Sequence, residues 1–166
     1  ELLIGITESG VMHTDADPQI PLDTKFQMVK ESGVYDYFDR TPPLELEDDY
    51  RRCSEKYELP ILAGGWFYVL GRDEDLLMEN LRLGARLGSL VHNTQIIMDH
   101  QDGSLVSDEQ VGEIYLRAYE TGEACGCRPT FEVHINMWSE DFRRIEKVAD
   151  LVEKQGIPFR MTLDHS

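Results

Sequence analysis

Apolar and polar positions along the chain switch repeatedly between a period of two and a period near 3.6, the spacings of strands and helices. Residues 1–7, ELLIGIT, form an apolar run of strand length. A long polar loop follows from Val11 to Pro21, carrying Asp15 and Asp17. A helix is predicted from about Leu22, with Phe26 and Val29 on its apolar side and Gly33 as its stop. Val34 to Phe38 reads as the second strand, closed by Arg40-Thr41-Pro42-Pro43, and Glu45 to Tyr57 as an acidic helix. The third strand is ILAGGWFYVL, whose Gly64-Gly65 invites a bulge or a close backbone approach. Asp73 is placed to cap the third helix, which shows Leu76, Leu77, Leu81, Ala85 and Leu87 at helical spacing before Gly88. Leu90 to Met98 is the fourth strand. Ser107 and Gln110 then match a capping box ahead of Val111, Ile114, Tyr115, Ala118 and Tyr119.

The last stretch, residues 130–166, is the most informative. It reads as a strand (TFEVHINMW), a helix opened by Ser139, Glu140 and Asp141, and a strand (IPFRMTLDHS). Alternation places Thr130, Glu132, His134 and Asn136 on one face, and Arg160, Thr162 and Asp164 on one face of the second strand. Buried parallel strands usually read as continuous apolar runs. Two strands with one polar face, each carrying a carboxylate, therefore predict a polar interior such as the mouth of a site.

Strict alternation of strand and helix predicts one α/β domain over residues 1–166, with a parallel sheet. Two folds satisfy it. An open doubly wound parallel sheet is complete at this length. A (β/α)8 TIM barrel typically needs about 250 residues, so the chain would hold about the first five and a half units. The chain begins on a strand without an initiator Met and stops at a strand end, and no GxGxxG or GxxxxGK[ST] loop follows the first strand. These features favour the partial barrel.

Composition narrows the partners. A formal charge of −16 argues against a phosphate-backbone binder, so nucleic acid is not expected. It leaves room for cations and neutral small molecules. No run reaches the ~18 apolar residues of a membrane span. Three cysteines (Cys53, Cys125 and Cys127) without a secretory pattern fit reduced thiols and a cytoplasmic protein. Cys125-Gly-Cys127 is a weak zinc signal without a second pair. A homo-oligomer stays open.

Phe131-Glu132-Val133-His134 on the fifth strand, followed one unit later by Leu163-Asp164-His165-Ser166, resembles the xylose isomerase-like TIM barrels. That superfamily holds sugar and sugar-phosphate isomerases and epimerases, lyases, and an endonuclease branch. The resemblance implies a divalent metal (Mn, Mg, Co or Zn) at the barrel's C-terminal mouth. Its ligands would be a Glu, an Asp, a His and a Glu from the fifth to eighth strands. Glu132 and Asp164 match the first two; the last two strands have no counterpart here. A carboxylate-bound hard cation suits such chemistry. It chelates sugar oxygens and polarises a carbonyl, so that proton removal gives an enediolate.

The expected function is thus a divalent-metal-dependent isomerase or epimerase acting on a small-molecule carbohydrate, with this chain alone inactive. Alternatives are a dehydratase or lyase on the same scaffold, a glycoside hydrolase using Glu132 as one of two carboxylates, or a non-catalytic binding domain. Glu132 and Asp164 carry the catalytic and metal assignment, against a buried ion pair such as Glu132 with Arg160. His134 and His100 are candidate substrate contacts; the endonuclease branch would make His100 a zinc ligand, which the charge opposes. Trp66 is a candidate apolar wall for a sugar, against core packing. Glu8 ends the first strand and faces either substrate or solvent. His92, His165 and His13 are read as structural or unsupported.

Overall fold

A computed structural model describes residues 2–11 and 20–163. Among them, six strands alternate with five α-helices: β1 (Gly5–Thr7), α1 (Leu22–Ser32), β2 (Tyr37–Asp39), α2 (Glu47–Tyr57), β3 (Ile61–Tyr68), α3 (Glu74–Leu87), β4 (Val91–Ile96), α4 (Asp108–Cys125), β5 (Arg128–Glu132), α5 (Phe142–Glu153) and β6 (Met161–Thr162). The strands form one sheet in the order β1-β2-β3-β4-β5-β6, every neighbouring pair parallel. A doubly wound sheet reverses its strand order at a switch point, and this one does not. Right-handed connections between sequential strands place all helices on one side. The α-helices accordingly pack each on the next, α1 to α5. The result is a curled, partial TIM barrel with a helical outside and an open inner face.

Apolar burial lies between sheet and helices. Phe26 of α1 stacks on Phe38 of β2 with ring centroids 4.4 Å apart, beside Tyr50, Cys53 and Ile61. A second cluster joins Tyr68, Leu81, Ile96, Tyr115, Phe131, Trp138 and Val148. Outward anchoring of Phe38 and Phe131 fixes the strand faces, because a slip of one residue would turn every side chain over. The register then puts Gly65, Asn93 and Thr130 in one row of the inner face, with Phe67 and Gln95 above them.

Several boundaries differ from expectation. β2 sits at Tyr37–Asp39 rather than Val34–Phe38, and Val34 is exposed. Pairing begins only where Gly5 meets Tyr37. β5 stops at Glu132, so the alternation expected through His134 and Asn136 fails. Ser139 Oγ donates to the Glu132 carbonyl at 2.6 Å and Asn136 takes φ 63°, which turns the chain out of the sheet and leaves Ile135 exposed. Asp73 occupies the cap position of α3, but its carboxylate turns back to accept from Val69 N–H and Arg72. Leu76, expected on the apolar stripe of α3, is exposed, and Met78 is buried there instead. The capping box of Ser107 and Gln110 forms as expected. Gly64 answers the Gly-Gly signal: a Cβ there would lie 2.2 Å from Thr41 Oγ1. All three cysteines are free thiols.

Candidate functional site

Glu132 owes its position to its neighbour. Phe131 is held outward by Tyr115 and Trp138, with centroids at 5.0 and 6.3 Å, so the next side chain must enter the barrel interior. Glu132 is 6% exposed. Its Oε2 accepts from Asn93 Nδ2 at 2.7 Å and from Gln95 Nε2. Buried carboxylates need such donors to offset lost hydration. The ion pair with Arg160 considered above is not formed among the described residues; Arg160 lies 5.8 Å over the Tyr119 ring instead. Thr162 Oγ1 donates to Thr130 Oγ1 at 2.8 Å. This joins β6 to β5 on the Glu132 face.

A cavity of about 500 Å³ opens over the first four strands. Its lining includes Glu8, Asp39, Arg40, Trp66, Phe67, Asn93 and Gln95, so the candidates Glu8 and Trp66 both border it. Glu8 neither floats in solvent nor stands free. Lys25 Nζ donates to it at 2.5 Å and Tyr50 Oη at 2.7 Å, and Arg40 Nε makes an ionic contact at 2.8 Å without the alignment of a hydrogen bond. Burial works against its charge, but these three partners hold its carboxyl below the usual range. The same burial and the Glu8 charge push the Tyr50 phenol up.

Asp39 was missed by sequence reasoning. Burial pushes its carboxyl up, the negative charge of Glu132 adds to the rise, and Arg40 opposes it. Ending β2 at Phe38 hid Asp39 by one residue. A strand-end carboxylate is the same signal that selected Glu132. Asn93 and Gln95 were also legible, as the alternate polar positions of VHNTQI.

The other candidates separate. Trp66 falls on the opposite face from Gln95 by register, and Arg40 covers its ring at 5.6 Å. Phe67, paired with Gln95, is the aromatic on the Glu132 face. His134 stands edge-on to Phe67 at 6.3 Å, but its Nδ1 is engaged by the Ile135 carbonyl at 2.7 Å. His100 is not brought to the site. It lies in a separate cavity of about 260 Å³ with Glu74 and Arg117, and its Nδ1 is 3.2 Å from Asp102 Oδ1. His92 points to the helical side and is buried. Tyr68 Oη accepts from Asn80 Nδ2 at 2.8 Å, which leaves its hydrogen for His92 Nε2 at 2.7 Å. His92 Nδ1–H then faces Thr41 Oγ1 at 3.2 Å. Burial drives the His92 pKa down to about 3. Asp164, His165 and His13 lie outside the described residues.

The implied metal can be tested on the donor set. Among the described residues the second oxygen of Glu132 has no partner, and it is of the kind a hard cation takes. Among the described residues, however, no three His, Cys, Asp or Glu side chains gather as a coordination shell requires. The described residues fit one corner of such a site and do not complete it.

No family model and no curated protein matches the sequence. Solved structures do. The apo form of a 3-keto-D-glucoside 4-epimerase from E. coli superposes with a TM-score of 0.64 at 13% identity, over 91% of this chain and 65% of that one. The IolI protein with a bound zinc atom gives 0.62 at 15% identity, over 95% and 62%. A sugar phosphate isomerase/epimerase from Parabacteroides distasonis gives 0.57 at 10% identity, over 97% and 64%. The fold they share with this chain is a partial TIM barrel. The chain spans between 62 and 65% of the lengths of these three structures. Identities this low establish a shared scaffold, and activity has to be argued from the site.

Proposed function

We propose that the protein is a sugar-processing isomerase or epimerase that moves a proton next to a carbonyl through an enediolate-type intermediate. Glu132 carries the reading: a carboxylate on a rigid strand end, buried in the barrel interior, with one oxygen clamped by two amides and the other without a partner among the described residues. Such a group takes a proton from carbon and returns it to the neighbouring carbon or to the other face. Asn93 and Gln95 fix its orientation, so the geometry of attack is preset. A divalent cation at Glu132 and Asp164 would supply Lewis acidity at the substrate carbonyl. The fold neighbours named for an epimerase and for a sugar phosphate isomerase/epimerase support the carbohydrate assignment, and the zinc-bound neighbour supports a metal.

The test is solvent deuterium incorporation into ketose and aldose probes, with metal analysis, for the full-length gene product as wild type and as Glu132→Ala. Wild type should exchange deuterium and hold stoichiometric divalent metal; Glu132→Ala should lose about 10²-fold or more of the exchange and its metal. Wild type without carbon-bound exchange overturns the proton-transfer reading, and wild type without metal overturns the cofactor.

Asp39 gives a second reading a foothold, since a glycoside hydrolase needs two carboxylates. Turnover of aryl glycosides that survives chelation would select it.

A further inference from the structure

Among the described residues, Arg40 is the one cation in the lining of the cavity over the first four strands. Its charge is left over. Glu8 already takes Lys25 Nζ at 2.5 Å and the Tyr50 hydroxyl at 2.7 Å, so that carboxylate is matched without Arg40. Arg40 Nε stands 2.8 Å from Glu8 Oε2, off the line of a hydrogen bond, and is shut away from water. The two terminal nitrogens are not sealed in this way, and they make no hydrogen bond among the described residues. Cζ lies 5.6 Å from the Trp66 ring centroid, so the ring braces the guanidinium from one side. Asp39, next in the chain, forms no ion pair with Arg40 among the described residues. Burial and the Glu132 charge also push the Asp39 carboxyl toward its neutral form. A planar fork of donors is thus held by Glu8 and Trp66 and left unspent at the cavity wall.

The other wall carries Asn93 and Gln95, the amides that clamp Glu132. Between the walls β3 offers Gly65, where an added Cβ would come within 3.0 Å of the Asn93 backbone oxygen. The floor there is bare. A molecule filling the cavity therefore lies between the Arg40 fork and the groups that orient Glu132. The proton transfer proposed above creates a negative charge on such a molecule. Glu132 takes the proton, the C–H electron pair moves into the carbon–carbon bond, and the carbonyl oxygen becomes an oxyanion. Donors already in place stabilise that oxygen without reorganising at the moment of reaction. From this we infer that Arg40 is the catalytic residue that receives the oxyanion of the intermediate, with Glu8 and Trp66 as the positioning residues that aim it. The inference rests on the proton-transfer reading and assigns a second group to it. Arg40 donates hydrogen bonds and loses no proton; the proton stays with Glu132 until it returns to carbon.

The experiment measures deuterium exchange into the ketose and aldose probes by the full-length gene product, separating kcat from KM, with calorimetry for binding. Arg40→Ala should lose about 10²–10³-fold in kcat, the scale of one oxyanion donor. Probe affinity should stay nearly unchanged, because the oxyanion exists only after binding. Free guanidinium should restore part of the Arg40→Ala rate and none of the Glu132→Ala rate. Arg40→Lys should fall between wild type and Arg40→Ala, since it keeps the charge without the fork. Glu8→Gln and Trp66→Leu should each lower kcat by less than Arg40→Ala does, through loosened aim. Circular dichroism checks each fold, and Arg40→Gln, closer in length, carries the same expectation should Arg40→Ala not fold. A loss confined to KM would mean that Arg40 binds an anion already present in the substrate. A loss that neither guanidinium nor Arg40→Lys relieves would mean a structural partner of Glu8. Either result overturns the assignment, as does an unchanged kcat. Wild type without exchange sinks the proton-transfer reading itself, a result distinct from any change in an Arg40 variant.

Discussion

His92 shows how much a single residue's surroundings decide. A histidine near the start of a strand says little by itself. Buried between Thr41 and Tyr68, it has no room for a proton on both ring nitrogens without breaking a hydrogen bond. Its folded-state pKa, about 3, lies below the unfolded value near 6.5. The unfolded chain therefore binds a proton first as pH falls. The stability this histidine contributes is fully present above about pH 6.5 and is lost progressively below it, with a slope approaching 1.4 kcal/mol per pH unit, roughly the single-proton limit. Urea unfolding of wild type and His92→Asn from pH 7 to pH 4 measures this as the difference between their slopes, which cancels the acid response of the paired carboxylates. Parallel slopes would remove His92 as the cause. Legibility at this scale was uneven. Glu132 was readable from alternation, whereas Asp39 required knowing that β2 extends one residue past its aromatic run.

Among the elements, β3 carries the sharpest constraint. The Gly64-Gly65 pair lets the loop after β2 lie against the sheet, where Thr41 reaches His92. A methyl at residue 64 would sit 2.2 Å from Thr41 Oγ1 and 3.0 Å from the Arg40 backbone carbonyl carbon. Gly64→Ala should cost about 1–3 kcal/mol, the range for overpacking a filled interior, read as a lower urea midpoint at unchanged m-value. Because Arg40 and Asp39 precede that loop, sugar binding should weaken with it; an unchanged midpoint would mean the loop yields freely. Helices α1 and α4 were readable down to their Gly33 stop and Ser107 cap, since those signals are local. The end of β5 was not. It depends on Ser139 capturing the Glu132 carbonyl, a contact between segments that the strand pattern runs straight through.

On the scale of the whole molecule, the charge of −16 stands out. Several of the ion pairs, such as Arg52–Asp49 and Lys56–Asp23, are exposed and screened by water, so they contribute little. Self-repulsion of the excess carboxylates should outweigh what salt removes from those pairs. Raising ionic strength from about 0.01 to 0.15 M shortens the screening length from roughly 30 to 8 Å. The urea midpoint should therefore rise over that range; a fall would mean the ion pairs dominate. Among the described residues no helix is long and apolar enough to cross a membrane.

By itself the sequence determined the alternation of strand and helix, the apolar faces, most helix ends and the polar interior marked by Glu132. Those follow from spacing and local caps, which a chain carries within each segment. Only the tertiary structure decided the rest. Sequential strand order, set by which strands pair, turned an ambiguous α/β pattern into a partial barrel. Packing sent His100 to another cavity and put Phe67 rather than Trp66 on the Glu132 face. It also tied Arg40 and Lys25 to Glu8 and left Asp39 without a partner among the described residues. Pairing and charge partners come from residues far apart in the chain, and no local spacing records them.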